Sequence, residues 1–354
     1  MTASQTQQNT IRTQFQPRLR AEKTTLTAQV GYQPDIQAAV SNLDKAISRL
    51  ATIKSYVWDL LDFETKSRTA DAATIATYTA RFDTKIRSIN RVADEIVVPP
   101  NLIGSTFSTD LSYIINALGD RKSKSYVDLS TGYSIEDASG HIWKKDSYVN
   151  SGTLAQYSTL GVATGKSTEV SRSLRLDALN GNAINFTIHP GTAAQESFTG
   201  GVLSTTGLNI VDSWIYASLG TTEGRSRAEA ALKSALTVID IQSSAFNGAL
   251  IRAQFDLGMA EIAAAGANTK ISALNQAMLL SLQDVSNASR REKDASDLAI
   301  THQKTLLQAY QSLFDTAVMG AKNKAISVSK INNRFNDTTH TGGPLTGRLL
   351  SVQA

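Results

Sequence analysis

The feature that most constrains this chain is an apolar stripe running through Leu232, Leu236, Ile239, Ser243, Phe246, Leu250, Ala253, Leu257, Ala260 and Ala264, in alternating steps of four and three. A helix turns once in about 3.6 residues, so this spacing puts every one of these side chains on one face. A repeat sustained that long predicts a coiled-coil seam or a long bundle helix, and its small residues allow a neighbouring helix to come close. Gly266 is expected to interrupt the pattern before Ile271, Leu274, Met278, Leu282 and Val285 resume it. A last stripe runs through Leu298, Leu306, Tyr310, Leu313 and Ala317.

The N-terminal part repeats the same theme. From Pro34, whose fixed φ suits a first helical position, Ile36, Val40, Leu43, Ile47, Leu50, Ile53, Val57 and Leu60 form a helical stripe. Ile75, Tyr78, Phe82, Ile86, Ile89, Val92 and Ile96 form another, which Pro99 and Pro100 end because proline disfavours helix at the residue before it. The two are predicted to pack as an antiparallel hairpin across a short polar link at 65–70.

Between 101 and 220 the texture changes, with 13 of the chain's 22 glycines, many Ser and Thr, and short β-prone runs at 111–115, 125–129 and 183–188. Gly132, Gly140, Asn180-Gly181 and Pro190-Gly191 punctuate this stretch as turns would. The fold class expected is therefore mainly α with a β-rich insert, the N- and C-terminal segments forming a long antiparallel helical bundle or coiled coil. The boundaries expected are a flexible N-terminal segment at 1–33, a helical hairpin at 34–98, the β-rich insert at 99–220, long C-terminal helices at 221–320, and a flexible tail at 321–354 containing Gly342, Gly343 and Pro344.

Composition removes several classes. With no cysteine, the chain forms no disulfide, thiolate metal site or cysteine nucleophile. The 35 basic and 31 acidic side chains nearly balance, so charge alone calls for neither nucleic acid nor an anionic membrane. No apolar run reaches the roughly 18 residues of a membrane-spanning helix. Residues 1–33 carry Arg12, Arg18, Arg20 and Lys23 among Gln and Thr, without the apolar core of a cleaved signal. The expectation is a cytoplasmic protein or one exported by a machine that reads an uncleaved N-terminus.

No motif supports an enzyme. The string GVATGKS at 161–167 ends like a phosphate-binding loop but has one residue too few between its glycines to wrap a phosphate with backbone N–H groups. His141, His189, His302 and His340 have no metal-ligand spacing, and no cofactor or metal is expected. Glu136 and Asp137 read as solvated turn residues rather than a general acid and base. Arg121, Lys122 and Lys124, like Arg290, Arg291 and Lys293, lack the interleaved aromatics that stack bases. Asn185, Asn287 and Asn336 head glycosylation-like triplets that arise often by chance.

Two segments resemble the bacterial flagellin and hook-filament junction family. Residues 79–95, TARFDTKIRSINRVADE, followed by NLIG at 101–104, are similar to the flagellin helix that ends in an asparagine-containing turn and enters the variable β domain. Residues 289–299, SRREKDASDLA, running into QKTLLQA at 303–309, are similar to the Ser-Arg and Asp-Ala run of the C-terminal helix, and 245–262 to the helix before it. The N-terminal Leu-Ser-Ser-Gly and Asp-Asp-Ala signatures of flagellins are absent from 1–70, and the C-terminus carries a Gly-Pro tail in place of a short apolar helix.

The resemblance implies a structural subunit that assembles with copies of itself outside the cell, its terminal helices packed between neighbours and its β insert facing outward, served by an export chaperone. The side chains expected to carry assembly are Ile36, Val40, Leu43 and Ile47 in the first helix and Leu298, Leu306, Tyr310 and Leu313 in the last. The rival readings are a helical pore-forming toxin with a β-containing head, whose membrane segment could only be the alanine-rich stretch at 258–267, and a virion structural protein.

Overall fold

The computed structural model describes residues 3–94, 101–103, 111–115, 120–145, 152–171 and 173–320, the last stretch as helix backbone alone from 313 onward. Ile96, Pro99-Pro100, Gly104, His340, Asn336 and the 321–354 tail lie outside the described residues. The chain forms two compact units, one of residues 19–272 and one of 1–18 with 273–354.

The larger unit is built on three helices: α1 (Ala3–Lys66) from residue 19 onward, α2 (Ala72–Ala93), and α3 (Thr222–Gly320) as far as residue 272. The buried side of α1 is Ile36, Ala39, Leu43, Ala46, Leu50, Ile53, Val57, Leu60 and Glu64, in unbroken steps of three and four. On α3 the buried positions include Ala228, Leu232, Ala235, Ile239, Gln242, Phe246, Ala253, Ala260, Ala264, Ala267 and Ile271. Ion pairs from Lys270 to Glu22 (3.4 Å), Lys54 to Asp240 (2.5 Å) and Arg68 to Glu229 (2.7 Å) join low-numbered residues to high-numbered ones, which makes the two helices antiparallel. Alanines along the α3 seam shorten the side chains between the two axes, so the backbones can approach closely.

α2 runs antiparallel to α1, with Lys85 bonded to Asp59 at 2.6 Å and Phe63 stacked on Tyr78 at 6.2 Å. Its start is fixed by Asp71, whose carboxylate accepts the Thr74 N–H at 2.7 Å and so satisfies one of the orphan donors of a helix N-terminus. At the end of α1 the buried Glu64 accepts a bidentate pair from Arg68 (3.0 and 3.1 Å), and Arg68 reaches on to Glu229 of α3. The polar link is thereby tied to both long helices.

The helical content exceeds the expectation in two places. α1 begins at Ala3 and includes Gly31 and Pro34, and α3 continues through Gly266 without a break. A proline inside a helix costs roughly 3 kcal/mol and a glycine about 1, a penalty that the packed stripe from Ile36 onward can offset. Seam phase also differs by one residue near the middle of α3, where Gln242 is buried and Ser243 half-buried.

Between α2 and α3 the chain forms a two-stranded hairpin, β1 (Ser112–Ile114) with β2 (Arg121–Ser123), and a seven-stranded antiparallel sheet. The sheet comprises β3 (Thr131–Glu136), β4 (Ile142–Lys145), β5 (Thr153–Tyr157), β6 (Ala163–Glu169), β7 (Leu174–Asn180), β8 (Ala183–Ile188) and β9 (Glu196–Gly207), in the order β6-β5-β4-β3-β9-β8-β7. β3 and β9, distant in sequence, pair at the centre with Ile135 opposite Leu203 and Thr131 opposite Gly207. One face buries Ile135, Trp143, Leu154, Ile184, Phe186 and Leu203, the alternation expected of a sheet covered on one side. Trp143, Phe186 and Phe198 lie 5.0–5.7 Å apart, and Phe186 meets Trp214 at 5.9 Å. Trp214 belongs to a 3-10 segment, Ser213–Leu219, that leads from the sheet into α3.

Side-chain hydrogen bonds root the sheet on α2. Asn90 donates to the Thr131 carbonyl (2.9 Å) and accepts from its N–H (2.6 Å) and hydroxyl (2.9 Å). Gly207 completes the corner with φ +65°, where an added Cβ would stand 2.1 Å from the Ser130 carbonyl oxygen.

Candidate assembly surface

The sites that sequence motifs single out for chemistry have structural occupations. In the GVATGKS string, Gly161 turns the β5–β6 hairpin with its N–H on the Ser158 carbonyl (2.8 Å), and the rest enters β6, so no helix N-terminus follows it. Asp137 accepts from the Ser139 and His141 N–H groups (3.0 Å each), Trp143 Nε1 (3.1 Å) and Gln156 Nε2 (2.8 Å). Burial pushes its carboxyl upward, but the bonds from Gln156, His141, Trp143 and Ser139 outweigh that and hold it below the usual carboxylate range. It clamps the β3–β4 turn as an anion. His189 sits in a turn at φ 46° and His302 lies exposed on α3.

Of the basic residues, Lys122 is spent on Asp256 (2.6 Å), which also accepts the Tyr113 hydroxyl (2.7 Å), so the β1–β2 hairpin is fastened to α3. Lys122 and Lys124 line a cavity of about 280 Å³ with Leu43, Leu111, Tyr113 and Arg252. Arg290, Arg291 and Lys293 are exposed along α3.

What distinguishes α3 is the side it turns away from the core. At about 100° per residue, Ile241, Ile251, Phe255, Met259 and Ile262 fall opposite Ala253, Ala260 and the other seam positions, and they are 50–68% exposed. Gly248, Gly258 and Gly266 share this outward face, and nothing lies within 4 Å of the Cβ that each lacks. Between Asp240 and Lys270 the helix carries only Arg252, Asp256 and Glu261 as charged residues, and Asp256 is engaged by Lys122. A soluble helix ordinarily puts charge on its outer side, so this largely apolar, glycine-bearing outer face is the candidate contact surface of the larger unit.

The smaller unit exposes apolar side chains in a different way. There Leu274, Met278, Leu282 and Val285 are half-buried, while every described side chain from 290 to 312 is exposed. Leu298, Ile300, Leu306, Leu307 and Tyr310 are among them, at 46–64%.

The residues expected to carry assembly therefore fall into two sets. Ile36 and Leu43 are buried in the chain's own core, with Val40 and Ile47 partly buried against it. Leu298, Leu306 and Tyr310 are exposed on α3, and Leu313 is on the same helix with its side chain outside the described residues. The outward face at 241–262 was not among the sequence candidates. Its signal was present as a second set of apolar residues between the seam positions, masked by the stronger stripe.

No protein-family model matches the chain, and no curated protein matches it. Solved structures of low similarity are the FlgL protein of Xanthomonas campestris in two crystal forms and a flagellar hook associated protein-3 of Legionella pneumophila. The two FlgL structures are 12% and 11% identical, with TM-scores of 0.29 and 0.26, over 66% and 75% of this chain and 92% and 99% of theirs. The Legionella protein is 11% identical, with a TM-score of 0.31, over 77% of this chain and 99% of that one. Overlays this loose establish neither a shared function nor a shared arrangement of parts.

Proposed function

We propose that this chain is a self-assembling structural subunit of the flagellin and hook-filament junction kind, in which outward faces of α3 pack against neighbouring copies and the sheet faces away from the contacts. The observation that carries this reading is the exposed row Ile241, Ile251, Phe255, Met259 and Ile262. Burying an exposed side chain of this size contributes roughly 1.5–3 kcal/mol before ordering costs, so the row as a whole is set against the roughly 4–15 kcal/mol that association costs. The resemblance of 79–95 and 289–309 to flagellin helices supports the same reading, as do Leu298, Leu306 and Tyr310, left exposed on α3. Ile36, Val40, Leu43 and Ile47 then act indirectly, by holding α1 against α3 so that the outer face of α3 is presented.

The test is negative-stain microscopy with light scattering on the full-length protein and on a variant carrying Phe255→Asp and Ile262→Asp. Ordered assemblies that the variant cannot form, with the sheet still folded by tryptophan fluorescence, are the expected result. Assembly unaltered by the two substitutions refutes the reading. The toxin alternative needs a membrane-crossing element, and among the described residues no helix is long and apolar enough to cross a membrane. Leakage from liposomes together with rings seen only on vesicles would move the assignment to it.

A further inference from the structure

The passage from sheet to α3 holds a left-handed turn and a buried charge cluster side by side. Ala217, Ser218 and Leu219 have φ of 51°, 50° and 59°, a region that side-chain-bearing residues seldom occupy and that persists only where surroundings hold it. Arg225 of α3, which donates to the Leu219 carbonyl at 3.0 Å, and two side chains of α2 do the holding. Asp83 accepts the Ser213 N–H and hydroxyl, both at 2.8 Å, and the Thr79 hydroxyl donates to the Ser218 carbonyl at 2.8 Å.

Asp83 and the neighbouring Asp212 are 1% and 2% exposed. Lys145 of β4 bonds Asp212 at 2.7 Å, and Asp212 also accepts the Tyr133 hydroxyl of β3 at 2.8 Å. Among the described residues no cation bonds Asp83, and the hydrogen bonds it accepts there both come from Ser213. Two buried carboxylates thus share one ammonium, and the cluster must carry either an uncompensated negative charge or a proton.

We propose that the Asp83–Ser213 contact is a protonation-controlled latch that fastens the strained 213–219 turn, and with it the base of the sheet, onto α2. It stands apart from the assembly reading and does not depend on it. The groups around it are Asp212 ahead of the turn, Lys145 of β4, Tyr133 of β3 and, within the turn, Tyr216, which senses Arg227 of α3. Burial first, then the charge of Asp212 and the bond to it, keep the Tyr133 phenol neutral against the Trp214 hydrogen bond, so it remains a donor to Asp212. Burial first, and the Asp212 charge second, push the Asp83 carboxyl up to about 7, against the bonds from Ser213 and the attraction of Lys145.

The sign follows from linkage. The unfolded carboxyl titrates near 3.9, below the folded value, so the closed state binds the extra proton. Closure is full at acid pH, weakens as pH rises from about 4 to about 7, and changes no further above that.

The experiment is urea unfolding of the full chain between pH 5 and 8, read by helical ellipticity and by tryptophan fluorescence in a Trp58→Phe background, which leaves Trp143 and Trp214 as reporters. With Asp83 intact, the fluorescence-detected unfolding constant should rise with pH, by as much as about tenfold per unit, and level off above 7. Asp83→Asn should remove that rise. Ser213→Ala, which takes a hydrogen bond from the charged carboxylate, should move the levelling-off point upward. Should Asp83→Asn not fold, titration of the Asp83 carboxyl by NMR in the wild type decides the matter. A carboxyl titrating at the ordinary value, or an unchanged pH profile in Asp83→Asn, overturns the latch.

Discussion

Replacing Asn90 with alanine tests how the sheet is rooted on the helices. Asn90 and Thr131 are 0% and 2% exposed, and three hydrogen bonds of 2.6–2.9 Å join them. Alanine removes the acceptor of the Thr131 N–H and hydroxyl and a donor to its carbonyl, in a place that water does not reach. A buried polar group left unsatisfied costs about 1–3 kcal/mol, so the N–H and hydroxyl together should cost roughly 2–6 kcal/mol, a large part of the usual 5–15 kcal/mol of a domain. Thr131→Val deletes only the hydroxyl bond and should cost about 1 kcal/mol. In the Asn90→Ala background that same change should cost almost nothing, because its acceptor has already gone. Urea midpoints at unchanged m-value provide the measurement. A loss below about 1 kcal/mol for Asn90→Ala, or full additivity of the pair, refutes the claim that this residue anchors the sheet.

Two further substitutions probe glycines of opposite kinds. Gly207→Ala puts a Cβ 2.1 Å from the Ser130 carbonyl oxygen at φ +65°, so thermal unfolding should show a loss beyond the 1–3 kcal/mol or so of backbone strain alone. Gly248→Ala and Gly266→Ala meet nothing within 4 Å inside a helix, so each should stabilise the isolated chain by about 0.5–1 kcal/mol, while weakening assembly if neighbours approach there. Phe186→Ala empties the aromatic cluster formed with Trp143, Phe198 and Trp214 and should cost about 3–5 kcal/mol by the same melts.

The long helices were legible because period and burial coincide: Ile36, Leu43, Leu50, Val57 and Leu60 are core residues at the spacing the sequence displays. The pairing of α1 with α2 was legible from their two stripes and the short polar link between them. Residues 3–33 read as loose because their Gln, Thr and Arg content hides a thin stripe at Gln8, Ile11, Phe15 and Leu19, whose half-buried state depends on tertiary packing. Strand order stayed hidden because the central β3–β9 pair is made by residues some seventy positions apart, such as Ile135 and Leu203, a pairing no local pattern encodes. The buried Asp83 was invisible for a related reason: it lies in a helix among charged neighbours, and only the fold brings Ser213 and Asp212 to it.

The most direct test of the central claim is sedimentation velocity on the full-length chain and on a variant with Ile251→Asp, Phe255→Asp and Ile262→Asp, over a range of concentrations. All three positions are exposed, so the variant should keep its helical ellipticity. The account predicts association that grows with concentration in the wild type and a monomer in the variant. A variant that associates as the wild type does would contradict it.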